Sequence, residues 1–262
     1  TVFAGRYHLV RPLGTGGNSD VHLAVDSHTQ REVALKIFKT TEKEENFLPR
    51  FLREAYGLSR LNHPNIVKLV DFGNQRNVFY LATEFVKGKS LGQIIKDGAL
   101  LEESAVMVAL EIGKAFTYMN QYGIVHRDIK PDNILIADTG EVVLVDFGLA
   151  REEHQQTLSL KDEMFGTPQF LSPEYINGAK NIDIRTDIYS LGITLFYAVS
   201  GQFPFTGRTA MAILHQQLNE QPPYLRDLVP ELSKEFADII FRMMAKEPGQ
   251  RCSLAEMIRT FE

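Results

Sequence analysis

The sequence predicts an α+β chain in two parts, a five-stranded antiparallel sheet with one main helix and then a mainly helical remainder. Three observations lead there. Short apolar runs broken by turn residues fill residues 7–38 and 66–85, as antiparallel strands require. Apolar residues at helical spacing occupy residues 47–61 and, after Leu91, most of the chain. A strand-like interruption, residues 134–145, stands among the later helices.

Composition sets the limits. With 262 residues and 44% apolar content, the chain can bury a full core in one or two domains. Its net charge of −5 argues against a nucleic-acid-binding role. A lone cysteine, Cys252, excludes an intrachain disulfide and fits a reducing compartment. No apolar run reaches the roughly 18 residues needed to span a bilayer; the best, residues 188–199, is interrupted by Ser190, Gly192 and Thr194 and reads as a buried core helix. No signal peptide is visible. A cytoplasmic location is expected, a membrane anchor outside this segment being left open, and the sequence is silent on oligomeric state.

In order, Tyr7–Leu13, Val21–Val25 and Val33–Phe38 read as three strands. Between the first two lies LGTGGNSDV, that is Leu13, Gly14, Thr15, Gly16, Gly17, Asn18, Ser19, Asp20 and Val21. Its glycines would let backbone N–H groups approach a phosphate; taken alone, they serve a plain hairpin turn as well. It is not a Walker loop, because no Gly-Lys-Ser/Thr opens a helix. On the third strand, Val33-Ala34-Leu35-Lys36 carries a lysine that is costly facing inward unless paired. Residues 47–61 place Phe47, Phe51, Leu52, Ala55, Leu58 and Leu61 on a helix, with Glu54 within it. Ile66–Phe72 and Val78–Phe85 complete the five strands and run into Thr83-Glu84-Phe85-Val86-Lys87-Gly88. Helices are then expected at 91–96, 101–122, 186–200, 210–219, 234–245 and 254–261.

The chain is organised around HRDIKPDNILIADTGEVVLVDFG, residues 126–148. Two apolar runs, Ile134–Ile136 and Val142–Val145, flank the turn Asp138-Thr139-Gly140 and read as a β-hairpin. A hairpin brings the loop before it and the loop after it to one end, so Asp128, Asn133 and Asp146 are expected to converge. Carboxylates and an amide oxygen are hard ligands, suited to magnesium rather than zinc.

This string resembles the catalytic and metal-binding loops of eukaryotic-like (Hanks-type) protein serine/threonine kinases, and the resemblance runs from Tyr7 to about Arg259. It implies a two-lobed fold, with an N-lobe over about 1–86, a hinge near 84–90 and a C-lobe over about 91–262. It makes Asp128 the group that orients the substrate hydroxyl and accepts its proton, and Lys130 the cation that neutralises the transferring phosphoryl group. Asn133 and Asp146 would hold magnesium, or manganese in its place. Residues 13–21, Ala34 and Lys36, the last paired with Glu54, would hold ATP, and Glu84 and Val86 would meet the adenine edge through the backbone. Leu58 would pack toward Phe147. Ser19 departs from the family, which usually has its third loop glycine there.

Other matches extend the resemblance. Asp187 matches an aspartate that braces the catalytic loop, although a helix N-terminus also favours a carboxylate. Glu174, closing GTPQFLSPE, matches a glutamate that pairs with the arginine here at 251. The texture of GTPQFLSPE and RTDIYSLG resembles bacterial members. Lys130-Pro131-Asp132 and Gly166-Thr167 imply serine/threonine specificity, with protein substrates and no membrane contact within this segment. Arg127 implies an anionic partner in the loop after Asp146, a phosphorylated Thr157 or Ser159 or the carboxylates Asp162 and Glu163, and Thr167 is expected to bond Asp128 and Lys130. The rival readings are a small-molecule phosphotransferase, against which residues 166–174 speak, and a nucleotide-binding pseudokinase scaffold, against which the intact Lys36, Asp128, Asn133 and Asp146 speak.

Overall fold

The computed structural model describes residues 1–16, 19–39, 47–147 and 168–262, apart from the side chains of Arg50, Arg53 and Glu54. The chain divides into two compact units, Thr1–Lys87 and Gly88–Glu262.

The first unit is built on an antiparallel sheet. Its strands are β1 (Val2–Phe3), β2 (Tyr7–Thr15), β3 (Ser19–Asp26), β4 (Glu32–Phe38), β5 (Leu69–Gln75) and β6 (Val78–Glu84), in the order β1-β2-β3-β4-β6-β5. The sheet thus has six strands among the described residues, where the sequence suggested five. The additional strand is two residues long, too short to show alternation. It folds back through Ala4 and Gly5, at φ of 53° and 65°, with the Arg6 N–H donating to the Phe3 carbonyl at 3.1 Å, a turn whose twist suits a hairpin. Strand β5 starts at Leu69 rather than Ile66; Ile66 makes only an isolated bridge, and it and Val67 are buried ahead of the ladder.

Strand alternation gives the sheet two apolar faces. Tyr7, Ala24, Val33, Leu35, Tyr80 and Ala82 pack on one. Phe38 and Leu81 pack on the other with Phe51 and Ala55 of helix α1 (Phe47–Ser59). At the edge of the first cluster the Arg6 guanidinium meets both oxygens of buried Asp26, at 2.7 and 2.8 Å, and Asp71 at 2.8 Å. Asp71 also accepts from the hydroxyls of Tyr7 (2.8 Å) and Tyr80 (3.3 Å). The bonds from Arg6 hold the Asp26 carboxyl well below its ordinary range, outweighing the opposite pull of burial.

The second unit opens with a small sheet of β7 (Gly88–Ser90), β8 (Ile134–Ala137) and β9 (Val142–Leu144). The hairpin β8–β9 was legible in the sequence, whereas β7 is only three residues long. A Cβ at Gly88 would sit 2.1 Å from the Ile136 carbonyl, so glycine permits that pairing. Helices α2 (Leu91–Asp97), α3 (Glu102–Gln121), α4 (Pro173–Ile176), α5 (Ile184–Ser200), α6 (Ala210–Asn219), α7 (Leu225–Leu228), α8 (Lys234–Met243) and α9 (Leu254–Phe261) make up most of the rest. Local chemistry sets their ends. Capping boxes start α2 (Ser90 with Gln93) and α9 (Ser253 with Glu256), and Gly201 closes α5 in the left-handed conformation. Helix α5 is buried on nearly every side, which marks it as the axis of the unit, and it packs on α3 and α8. Among the described residues, no helix is long and apolar enough to cross a membrane.

Candidate active site

In the second unit, the loop from His126 to Asn133 and the loop around Asp146 lie at one end of the β8–β9 hairpin. The Val145 N–H donates to the Asn133 carbonyl at 2.9 Å, and the Asn133 N–H to the Lys130 carbonyl at 3.0 Å. The structure therefore brings together the two loops that hairpin logic placed side by side.

The side chains form one bonded cluster. Asp128 Oδ2 accepts from Lys130 Nζ at 3.0 Å and from Asn133 Nδ2 at 2.9 Å. Asn133 Nδ2 also donates to the Asp128 carbonyl at 2.8 Å. Both partners of that nitrogen can only accept, so the orientation of the amide is fixed and its oxygen faces away from Asp128. Asn133 is buried at 4% exposure, whereas Asp146 is exposed. An amide oxygen and a carboxylate next to the residue bonded to Asn133 make a hard-donor pair, which fits a divalent cation of the magnesium type.

His126 and Asp187 hold the backbone beneath the cluster. The fully buried Asp187 carboxylate, on the first turn of α5, accepts from the His126 N–H at 2.7 Å and the Arg127 N–H at 2.8 Å. The sequence-predicted brace is therefore present, in addition to any benefit from the helix N-terminus. Burial pushes this carboxyl up to about 7, against the pull of the two N–H donors and the Arg127 guanidinium. His126 Nδ1 accepts from the Asp128 N–H at 3.2 Å, so Nε2 carries the proton and faces the Val145 carbonyl at 3.1 Å. The His126 ring lies 4.4 Å from that of buried Phe147. Arg127 and Asp146 both take left-handed backbone, at φ of 67° and 57°. For an arginine this costs on the order of 1–3 kcal/mol and persists only where the surroundings impose it.

In the first unit, register places Gly14, Val21, Lys36 and Leu81 in one row across β2, β3, β4 and β6. Leu81 packs with α1, so Val21, Ala34 and Lys36 belong to that helix-covered face. Lys36 is half-buried with its ammonium 5.4 Å from the Phe38 ring centroid. At the loop between β2 and β3, the Gly16 N–H donates to the Ser19 carbonyl at 2.8 Å. Lys39 Nζ donates to the Gly16 carbonyl at 3.0 Å and pairs with Asp20 at 2.8 Å. Ser19 begins β3, paired with Phe38, and is not among the residues with positive φ. Its Cβ therefore needs no strained backbone. Leu13 and Thr15 lie on exposed stretches of β2, Glu84 ends β6, and Val86 follows it.

Several sequence expectations lie outside the described residues. These are Gly17 and Asn18, the side chain of Glu54 and hence its pairing with Lys36, and Thr157, Ser159, Asp162, Glu163, Gly166 and Thr167. Leu58 lies in the first unit and Phe147 in the second. Both residues are buried.

Elsewhere in the second unit, Arg251 satisfies all five of its donors. Nη1 and Nη2 reach Glu174 at 2.7 and 2.6 Å, and the others reach the carbonyls of Ala245, Arg185 and Lys246 at 2.8, 2.9 and 3.1 Å. Thr186 Oγ1 donates to Glu174 at 2.6 Å. Burial raises the Glu174 carboxyl, and the bonds from Arg251 and Thr186 more than reverse this, leaving it lowered. Reading the sequence did not single out Gln217, a fully buried polar residue on α6 that bonds the Pro168–Phe170 segment. The available signal was a glutamine three and four residues after Leu214 and Ile213, on the apolar stripe.

Comparison with known proteins agrees with this geometry. The family model described as the protein kinase domain matches residues 7–261. A probable serine/threonine-protein kinase PknB of Bifidobacterium longum is 38% identical over 98% of this chain and 39% of its own length. The corresponding PknB of Lactococcus lactis is 35% identical over 99% and 42%. The serine/threonine-protein kinase PrkC of Bacillus subtilis is 37% identical over 97% and 39%. The chain thus spans about two fifths of the length of these relatives.

Proposed function

The chain belongs to the protein kinase family, and on that premise we propose that it transfers the γ-phosphoryl group of ATP to serine or threonine hydroxyls of proteins. The observation that carries this reading is the bonded set Asp128–Lys130–Asn133, seated on backbone that Asp187 anchors. A bond forms between the substrate oxygen and the γ-phosphorus, the bond from that phosphorus to the β–γ bridging oxygen breaks, and the hydroxyl proton goes to Asp128. With a loose transition state, the protein's part is mostly positioning and electrostatics. Lys130, 3.0 Å from the Asp128 carboxylate, would balance charge on the moving group. Asn133 and Asp146 would hold magnesium, or manganese, which draws charge from the phosphate oxygens when bound. Residues 13–21, Ala34 and Lys36 with Glu54 would hold the nucleotide, and Glu84 and Val86 its base. A complete residue set favours an enzyme over a nucleotide-binding scaffold, and the resemblance of residues 166–174 to a peptide-substrate platform favours protein over small-molecule substrates.

The ATP-rich cytoplasm is the proposed location, with protein substrates and not nucleic acid as partners. Phosphorylation of Thr157 or Ser159 would supply negative charge to Arg127 and so regulate the enzyme. Incubation with γ-labelled ATP and a generic basic protein, followed by phosphoamino-acid analysis, tests the reading. Label on serine or threonine is expected, and label on tyrosine alone, or none on protein, contradicts it.

A further inference from the structure

One side chain from outside the loop between β2 and β3 touches both arms of that loop. Lys39 follows directly on β4. Its ammonium donates at 3.0 Å to the carbonyl of Gly16, which follows β2, and pairs at 2.8 Å with Oδ1 of Asp20, on the first turn of the chain into β3. The same two arms are joined by the Gly16 N–H, which donates to the Ser19 carbonyl at 2.8 Å, and by the register pair Thr15 and Asp20.

The ion pair has a shielded side. The Lys39 and Asp20 side chains are 41% and 32% exposed, yet Asp20 Oδ1 itself is closed off from water. Among the described residues, no donor other than this ammonium reaches that oxygen. A shielded carboxylate oxygen is costly without a counter-charge, so Asp20 fixes where the ammonium sits.

Register tells from which side the loop is gripped. Asp20 stands opposite Ile37, and Ile37 packs on the cluster of Tyr7, Ala24, Val33 and Leu35. Opposed residues of an antiparallel pair share a face. Asp20 is therefore on the face of the sheet away from Val21 and Lys36, which belong to the helix-covered side.

We infer that Lys39 is a positioning residue for the nucleotide phosphates. By clasping Gly16 and Asp20 from the face away from Lys36, it sets the separation of the two arms and so the place of the phosphates they hold. The inference deepens the proposed nucleotide site and rests on it. A nucleotide held at Lys36 lies on the other face, so Lys39 acts on it only through the loop. Loss of the clasp weakens the hold on the phosphates and leaves the hold on the base and ribose alone.

Equilibrium binding of magnesium–ATP and of adenosine tests this. Lys39→Met is expected to raise the ATP Kd roughly two- to tenfold, the scale of a charge-assisted hydrogen bond joined to a partly exposed ion pair. The adenosine Kd should stay within about twofold of wild type. Asp20→Ala separates the clasp from plain charge attraction. Removing a negative charge beside the loop would by attraction alone tighten ATP binding, whereas loss of the clasp weakens it. An ATP Kd that changes less than about twofold in Lys39→Met, an adenosine Kd that rises along with it, or tighter ATP binding by Asp20→Ala would overturn the inference. A wild-type protein that binds no ATP refutes the nucleotide site beneath it, a separate result seen before any substitution is made.

Discussion

Replacing Glu174 by glutamine removes the carboxylate that faces both terminal nitrogens of Arg251. The Arg251 side chain has no exposure and that of Glu174 only 12%, so water cannot take over. Glutamine has almost the same shape but offers one acceptor oxygen, and in either orientation its amide nitrogen is forced against one Nη of Arg251. The guanidinium then keeps three carbonyl partners and loses its bidentate anion. Breaking a buried pair from one side costs about 3–5 kcal/mol. With one acceptor retained, the loss is expected at about 2–4 kcal/mol, a large part of a typical folding free energy of about 5–15 kcal/mol. In a chain of this size that lowers the melting midpoint by roughly 5–15 °C. The chain has no tryptophan, so far-ultraviolet circular dichroism is the suitable probe. The pH dependence gives a second check. The Glu174 carboxyl is lowered in the fold, so its stabilisation is present above the ordinary glutamate range and fades as pH falls through the folded pKa; the glutamine variant should lose that part of the acid sensitivity. A Glu174→Gln protein that melts within about 1 °C of wild type and keeps the wild-type acid slope would refute this reasoning.

Asp187→Asn leaves one of the two backbone N–H groups of residues 126 and 127 opposite an amide nitrogen. A stability loss of about 1–3 kcal/mol is expected, with kcat falling further than ATP affinity because the loop carrying Asp128 shifts; urea titration and nucleotide binding measured in parallel separate the two effects. Asp26 is held ionised by Arg6, so its stabilisation of the first unit is present above the ordinary aspartate range and is lost as pH falls below it. Asp26→Asn should be less stable at pH 7 and flatter in its acid response, and an unchanged acid-unfolding profile would count against that ion pair.

The sequence showed most where the information is local. The ends of α6 and α9 match expectation because apolar spacing and the caps Thr209 and Ser253 lie within a few residues. Residues 126–147 were legible for the same reason, since two loops separated by one hairpin must meet at one end. Strands β1 and β7 are too short for any periodicity, and β7 exists only because distant β8 accepts a glycine. The Arg6–Asp26–Asp71 network and the bonds from Gln217 to the Pro168–Phe170 segment join residues up to 65 and 49 positions apart. Nothing in the spacing of those residues announces the bonds. Glutamine on an apolar stripe was a signal, but one that does not name its partner.

In the proposed reaction Asp128 orients and deprotonates the substrate hydroxyl. The most direct test of this role is single-turnover phosphoryl transfer to protein by Asp128→Asn, with ATP binding measured on the same preparation. Asparagine keeps the shape and loses the base, so transfer should slow on the order of 10²–10⁴-fold while ATP affinity stays at the wild-type value. Transfer at the wild-type rate would contradict the assignment.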